Sequence, residues 1–491
     1  LYDGSLYVMR IAPKNQNIVT LKADNTGWNP ANEIREHDFD DMFSTDYVSA
    51  LWPEYISADI VSTPLTEKRT RDNLSWLANA ITAWRSGDTS MRLNLGYTGD
   101  RLDYNSGVTT DYFSAQIPRF VQNNSQRTQS HDLSAQFYSQ INKRGYYLKE
   151  MFSAEGTLNN SNSAISGSFD LSQRVRRKSL TANNDLKLVK RNEKKLFTLI
   201  SRNTFRLCPD RLFVAGDEEA SQRLASTDFR STTETKFGRM ARFWKYYVTG
   251  GLDLDYHRIN SSLSGLGEFD NSGVHEVFLS NLYATPQVDF ERNGWRVSMR
   301  MPLKWLHYSV VGRHDYINAD PRLNVRRQLT AKSDISGSVA YSLGSPQAYL
   351  NITMPVMSDY RNLFIAGNPG KYSQKVETAF TYRYRNPVKS LFFNISAAYN
   401  HSRSSIMSNQ LFVGDFIIST YAARLAENNS WSIKGGFSKG LGHSKMVAGL
   451  DLNATVSSAS SMRDDAVIPY RQTAAGLKPY VKGSILSLIH I

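Results

Sequence analysis

Apolar and polar residues alternate with a period of two from one end of the chain to the other, and no stretch of helical spacing exceeds about two turns. Between 246 and 256 one face reads Tyr246, Val248, Gly250, Leu252, Leu254, Tyr256, and the other Tyr247, Thr249, Gly251, Asp253, Asp255. The same division recurs in Trp295, Val297, Met299, Met301 against Arg296, Ser298, Arg300. It recurs again in Val376, Thr378, Phe380, Tyr382, Tyr384 against Glu377, Ala379, Thr381, Arg383, and in Met446, Ala448, Leu450, Leu452, Ala454, Val456 against Val447, Gly449, Asp451, Asn453, Thr455. Such rows predict strands of about nine to eleven residues, longer than the ~5–6 usual in soluble sheets. Tilted by ~45°, they match the hydrocarbon thickness of an outer membrane. The expected class is all-β, each strand carrying one lipid-facing and one water-facing row.

Short polar turns separate these strands: Pro13–Asn17, Ser86–Asp88, Asn142–Gly145, Arg191–Glu193, Arg242–Lys245, Arg292–Gly294, Gly344–Pro346, Arg385–Pro387 and Gly440–Gly442. From the second onward they recur about every 51 residues. Two strands of about a dozen residues fill half of that interval, so the rest predicts long loops at the opposite end. Gln122–Ser130, Asn159–Ser168, Asn260–Gly273, His401–Gln410 and Ser457–Asp465, rich in small polar residues and without alternation, are assigned to those loops. Tight turns at one end and long loops at the other are the asymmetry of a large antiparallel transmembrane β-barrel, with periplasmic turns and extracellular loops. Nine turns imply about eighteen strands. Tyr246, Tyr256, Trp295, Tyr382, Tyr384 and Tyr399 flank the apolar rows, where amphipathic rings suit the headgroup level.

Composition then changes meaning. With 491 residues, 41% hydrophobic, the chain would make about three soluble domains at ~150 residues each. Divided into hairpins of about 51 residues it makes most of one barrel. A mean hydropathy of −0.44 with no apolar run near ~18 residues excludes a helical membrane protein but not a barrel, whose lumen residues dilute its lipid row. The chain starts at Leu1 without a signal segment, and its final hexamer, Leu486 to Ile491, looks like the in-frame translation of a transposon end used in sequencing libraries. The expected organisation is therefore a barrel over 1–485, incomplete at both ends, with 486–491 an artefact. The single cysteine, Cys208, cannot form an internal disulfide and reads as a small apolar strand residue.

The chemistry of the chain points away from catalysis. Gly436-Phe437-Ser438-Lys439-Gly440 has the spacing of a nucleophile elbow, but a strand follows where a helix is needed, so Ser438 is expected to face the lumen beside a turn. Gly367-Asn368-Pro369-Gly370-Lys371 has Tyr372 where a phosphate loop needs Ser or Thr. The acidic group Glu33, Glu36, His37, Asp38, Asp40, Asp41 has calcium-type oxygens without the glycine and bidentate glutamate of a recognised loop, and reads as a solvated acidic segment. His257, His307 and His314 lack partners at zinc spacing. No cofactor is expected. The net charge of +13 comes from 58 Lys+Arg against 45 Asp+Glu, scattered without a nucleic-acid-binding module. The lumen-facing polar candidates are Asp253, Asp255, Arg296, Arg300, Arg383 and Asp451. They would line a path for anionic or polyhydroxy solutes, or neutralise one another across a polar interior. Rim lysines and arginines would meet outer-membrane lipid and lipopolysaccharide phosphates.

Ser5 to Gly27, Tyr55 to Asn105 and Tyr382 to Met407 resemble the barrel of a TonB-dependent outer-membrane receptor, in the branch whose mature chain usually starts with a carboxypeptidase-regulatory-like domain. The resemblance is general over most of the chain. It implies a 22-stranded barrel closed by an N-terminal plug, energised by the TonB complex through that missing region, and importing a siderophore, glycan or peptide. A surface lipoprotein partner would fit glycan or peptide import. Alternatives from the pattern alone are a plug-free porin or secretion barrel, and a soluble β-propeller with a kelch-like period near ~50. The propeller fits less well, because each interval holds two long strands rather than four short ones.

Overall fold

The computed structural model describes residues 1–28, 54–57, 71–111, 119–168, 170–192, 195–310, 312–344, 352–367, 373–442 and 446–483. Twenty-five strand segments form one sheet. The long strands pair antiparallel in chain order, from Asp3–Ala12 against Asn15–Asp24 to Met446–Arg463 against Ala466–Gly483, and two short parallel pairings tie in Asn362–Phe364 and Met407–Val413. The only helix among the described residues is a 3-10 turn at Gly267–Phe269, and none is long and apolar enough to cross a membrane. A single continuous sheet leaves no blades, so the propeller is set aside.

Two long strands are interrupted at prolines. Trp295–Arg300 and Leu303–Val310 both pair with Asn271–Arg292 and are two halves of one strand broken at Met301-Pro302. Gly312–Ala319 and Arg322–Thr330 are likewise separated by Asp320-Pro321. Proline lacks the N–H that a ladder needs, so the breaks fall where the sequence dictates. Arg322–Thr330 pairs with Ser333–Gly344, but among the described residues no backbone ladder joins Gly312–Ala319 to that strand. Side chains bridge the gap: Leu343 N donates to Asp320 Oδ1 at 2.9 Å, and Asn318 Nδ2 to Leu343 O at 3.3 Å. Counting each broken strand once, and setting aside the small hairpins at 356–364 and 407–422, nineteen consecutive strands remain among the described residues.

Exposure identifies the two faces. Leu95, Leu133, Phe152, Leu180, Phe205, Phe237, Leu252, Leu282, Trp305, Phe380, Ile433 and Leu452 are all exposed, and strand register places them on one side of the sheet. The sheet curls with this apolar face outward. The segment 352–367, which leaves the strand Ser333–Gly344, reaches across the inside to strands Leu171–Arg191 and Glu219–Met240, where Tyr360 N donates to Gln173 Oε1 and Met357 N to Gln222 Oε1.

Two expectations are corrected. The polar stretches assigned to loops are strand: 122–130 lies in Phe120–Lys143, 159–167 in Tyr146–Gly167, 260–264 in Trp244–Ser264, and 457–463 in Met446–Arg463. Several hairpins continue past the apolar band with both faces polar, so alternation vanishes while the ladder persists. Their connections shrink to 168–170, 216–218 and 265–270. Gly265 makes one of these turns at φ +93°, where a Cβ would overlap Glu219 O. The tight turn assigned to Gly344–Pro346 does not fall at Gly344, and Ser345 and Pro346 lie outside the described residues. That turn is Ala331-Lys332, and Gly344 opens the connection at the opposite end. The Pro321 break hid the extra strand in this interval.

Candidate functional site

The inner face carries an ion-paired wall. Asp253 and Asp255 share the strand Trp244–Ser264. Asn281 Nδ2 donates to Asp253 Oδ2 at 3.0 Å, and Arg230 pairs with Asp255 at 2.5 Å. Beside them Tyr283 donates its hydroxyl to Glu234 at 3.2 Å, its ring lying against Gly251 so closely that a Cβ there would clash. Arg296 pairs with Glu291 at 2.7 Å. Arg383 pairs with Asp334 at 2.8 Å, and Arg326 contacts the same carboxylate at 3.1 Å. Glu377 instead pairs with Lys375 at 2.5 Å and Arg322 at 3.5 Å. Arg300 stands in register between Gln287 and Arg322, and Asp451 between Gly436 and Lys478; neither forms an ion pair among the described residues. The six sequence candidates are thus spread around the wall, and they do not converge on one centre.

Convergence occurs higher up, above the apolar band. Ile352, Val356, Met357 and Leu363 of the inward segment are fully buried against Val175, Leu212, Leu224, Ile259 and Leu263. This core is apolar because the strand tops turn Val175, Leu212, Val214 and Leu263 inward, where the wall below them is charged. Burying four large side chains contributes roughly 1.5–3 kcal/mol each. The segment's own turn is fixed by Asp359, whose Oδ1 accepts from Arg361 N and Asn362 N at 2.8 Å. The piece 54–57 lies alongside, with Ser57 N donating to Ser358 O at 3.0 Å.

Beneath this cap sits a buried polar chain. His257 has no exposure at all, its Nδ1 facing the Asp228 carboxylate. On its other side Nε2 lies within hydrogen-bond distance of the Tyr55 hydroxyl, at 3.1 Å. Arg206 Nε donates to the other Asp228 oxygen at 2.9 Å. Next to it a cavity of about 340 Å³ is lined by Glu54, Arg177, Arg206, Cys208 and Asp210. Arg177 pairs with Glu54 at 2.5 Å. Burial pushes the Asp210 carboxyl up to about 6. Charged and hydroxyl groups around this recess can hold a small polar solute.

Sequence reasoning passed over Gln173, Gln222, Asp228 and Arg206, and set His257 aside for want of partners at zinc spacing. The signal was their inward parity, legible only once the strands are known to continue beyond the membrane. Ser438 lies in the strand Ala426–Gly440, opposite in parity to the exposed Ile433 and Phe437, and faces inward. His307 contacts Asp315 at 3.0 Å, and no metal-binding group of three His, Cys, Asp or Glu exists among the described residues. The acidic group at 33–41, the residues 368–372 and the terminal hexamer lie outside the described residues.

One curled antiparallel sheet, apolar outside and ion-paired inside, defines a large transmembrane-type β-barrel fold. Solved structures share it: the outer membrane transporter YddB from Escherichia coli, with TM-score 0.50 and 10% identity over 79% of this chain, and the copper transporter OprC, with 0.50 and 9% over 79%. The ferric yersiniabactin uptake receptor FyuA from Yersinia pestis gives 0.53 and 11% over 97% of this chain and 70% of its own. The chain spans 55% of YddB and 63% of OprC. No family model matches, and no curated protein is similar in sequence.

Proposed function

We propose that the chain is the barrel portion of a TonB-dependent receptor that imports a nutrient across the outer membrane. The observation that carries this reading is the pair of faces on one sheet: an apolar outer band suited to lipid and an inner wall of Asp253, Asp255, Arg296, Arg300, Arg383 and Asp451 suited to water. In this reading the intact barrel has 22 strands and is closed by a plug, because a lumen this wide cannot be filled by barrel side chains. TonB acts on the plug, and the inner polar residues line the path the solute takes once the plug moves. Siderophores, metal chelates, glycans and peptides are the candidate cargo classes, a surface lipoprotein accompanying the last two, and the carboxypeptidase-regulatory-like branch is the expected one.

The test has two parts. The chain expressed in a Gram-negative host should fractionate with the outer membrane and migrate heat-modifiably; a monodisperse folded chain in plain buffer would refute the barrel. The coding DNA upstream of Leu1 should then specify a plug, and its lack would replace the receptor with a plug-free porin or secretion barrel, whose single channels conduct in planar bilayers.

A further inference from the structure

We propose that the outward faces of strands Leu171–Arg191, Lys195–Ala215 and Glu219–Met240 form a docking surface for the phosphate groups of the phosphorylated glycolipid in the outer leaflet. The proposal rests on the outer-membrane reading above. Arg176, Arg211 and Arg223 stand directly opposite one another on these three adjacent strands, and all three are exposed. Arg174 and Lys178 flank Arg176 on the same face. Opposed residues in an antiparallel ladder have Cα atoms only ~4.5–5.5 Å apart, and like charges so placed destabilise the sheet.

No acid answers them: none of Arg176, Lys178, Arg211 and Arg223 forms an ion pair among the described residues, and Arg174 donates only to the amide of Asn162 at 2.9 Å. Arginines on either side of the row on the outer face are treated differently. Arg127 pairs with Asp103 at 2.5 Å, and Arg258 with Glu276 at 3.3 Å. Neutralisation therefore stops where the three-strand row begins. Height completes the argument. Leu180, Leu207 and Phe229, large outward residues below the row, lie four to six residues beneath it, and the exposed Phe213 stands two residues above Arg211, so the guanidinium groups sit among the last apolar side chains at the upper edge of the band, at the headgroup level. Guanidinium forks bind phosphate oxygens in bidentate pairs, and anions between three opposed arginines convert a repulsive row into an attractive one.

Detergent-solubilised chain is titrated with diphosphoryl lipid A and read by native mass spectrometry, with urea unfolding in vesicles as a second readout. R176Q/R211Q/R223Q should bind lipid A more weakly by on the order of 100-fold, each arginine near a charged surface being worth about tenfold or less. R258Q/E276Q should bind like the unaltered chain. In phosphatidylcholine vesicles the triple variant should be the more stable, and with lipid A present the less stable; a role confined to folding gives no such inversion. The single variant R211Q guards against a triple variant that fails to fold. Equal lipid A binding by all variants, or phosphatidylglycerol or dephosphorylated lipid A binding as well as the diphosphoryl form, overturns the proposal. If the unaltered chain inserts into no vesicle, the barrel reading falls and takes this proposal with it, an outcome distinct from insertion without phosphate preference.

Discussion

Gln222 holds the inward cap by a bond that can be removed without touching the apolar core. It has no exposure, its Nε2 donates to Ser261 Oγ at 2.8 Å and Ser262 O at 3.3 Å, and its Oε1 accepts from Met357 N at 3.1 Å. Gln222→Ala leaves the buried Met357 N–H without its acceptor, and an orphaned buried donor costs about 1–3 kcal/mol. The apolar contacts of Ile352, Val356, Met357 and Leu363 remain, together worth more than the lost bond. The cap should therefore stay docked but open more often, by roughly 5- to 150-fold. Hydrogen exchange at amides 356–364 reads this: the segment should exchange faster by that factor while strand amides of 244–256 are unchanged. Gln173→Ala, which frees Tyr360 N, should produce a second increase of similar size at 358–362. Unchanged exchange in both variants would refute the view that these glutamines anchor the cap, and uniform acceleration through the sheet would show a role in the wall instead.

Three other outcomes follow from the geometry. Leu452→Arg on the outer face should destabilise the folded chain by about 2–4 kcal/mol in lipid, whereas Asp451→Arg, one residue along and facing inward, should cost under ~1 kcal/mol, both read as urea midpoints in vesicles. Gly251→Val should displace the Tyr283 ring from its seat and lower the midpoint by about 1–3 kcal/mol, the Tyr283→Ala background rescuing it. Asp210 lies above the apolar band with a carboxyl raised to about 6 in the folded chain; its neutral form is the one that folding favours. That contribution is fully present below ~4 and lost as pH rises through about 6, so the stability of the surrounding strands, read by hydrogen exchange at amides 206–212, should fall from about pH 4 to about pH 6, and Asp210→Asn should flatten the profile.

The lower halves of the strands were legible because lipid and water impose opposite demands on alternate residues; rows such as Tyr246 to Tyr256 and Met446 to Val456 need no other information. The upper halves were illegible for the converse reason. In Gln122–Ser130 the outward row meets water and the inward row, with Asn124 and Gln126 buried, is polar as well, so the stretch loses its contrast and mimics a loop. The cap was hidden differently. Val356, Met357 and Leu363 sit in a connection whose partners Val175, Leu212 and Leu224 lie on strands far earlier in the chain, so no local period announces them. Pro302 and Pro321 were visible as residues, but only the register of 287–300 and 322–340 shows that each interrupts a strand rather than ending one.

That pair of interruptions also decides where the wall is mechanically weakest. Elsewhere a force pulling neighbouring strands apart must shear a full row of backbone bonds at once. Among the described residues, the stretch from Gly312 to Pro321 meets Ser333–Gly344 through the Asp320 and Asn318 side chains and one backbone bond, Tyr341 N to Pro321 O at 3.0 Å, which rupture one at a time. A sideways load on this part of the sheet would therefore unzip at this seam before the flanking ladders gave way. The two prolines set a built-in line of tearing, and its position is fixed by covalent structure rather than by the strength of any contact.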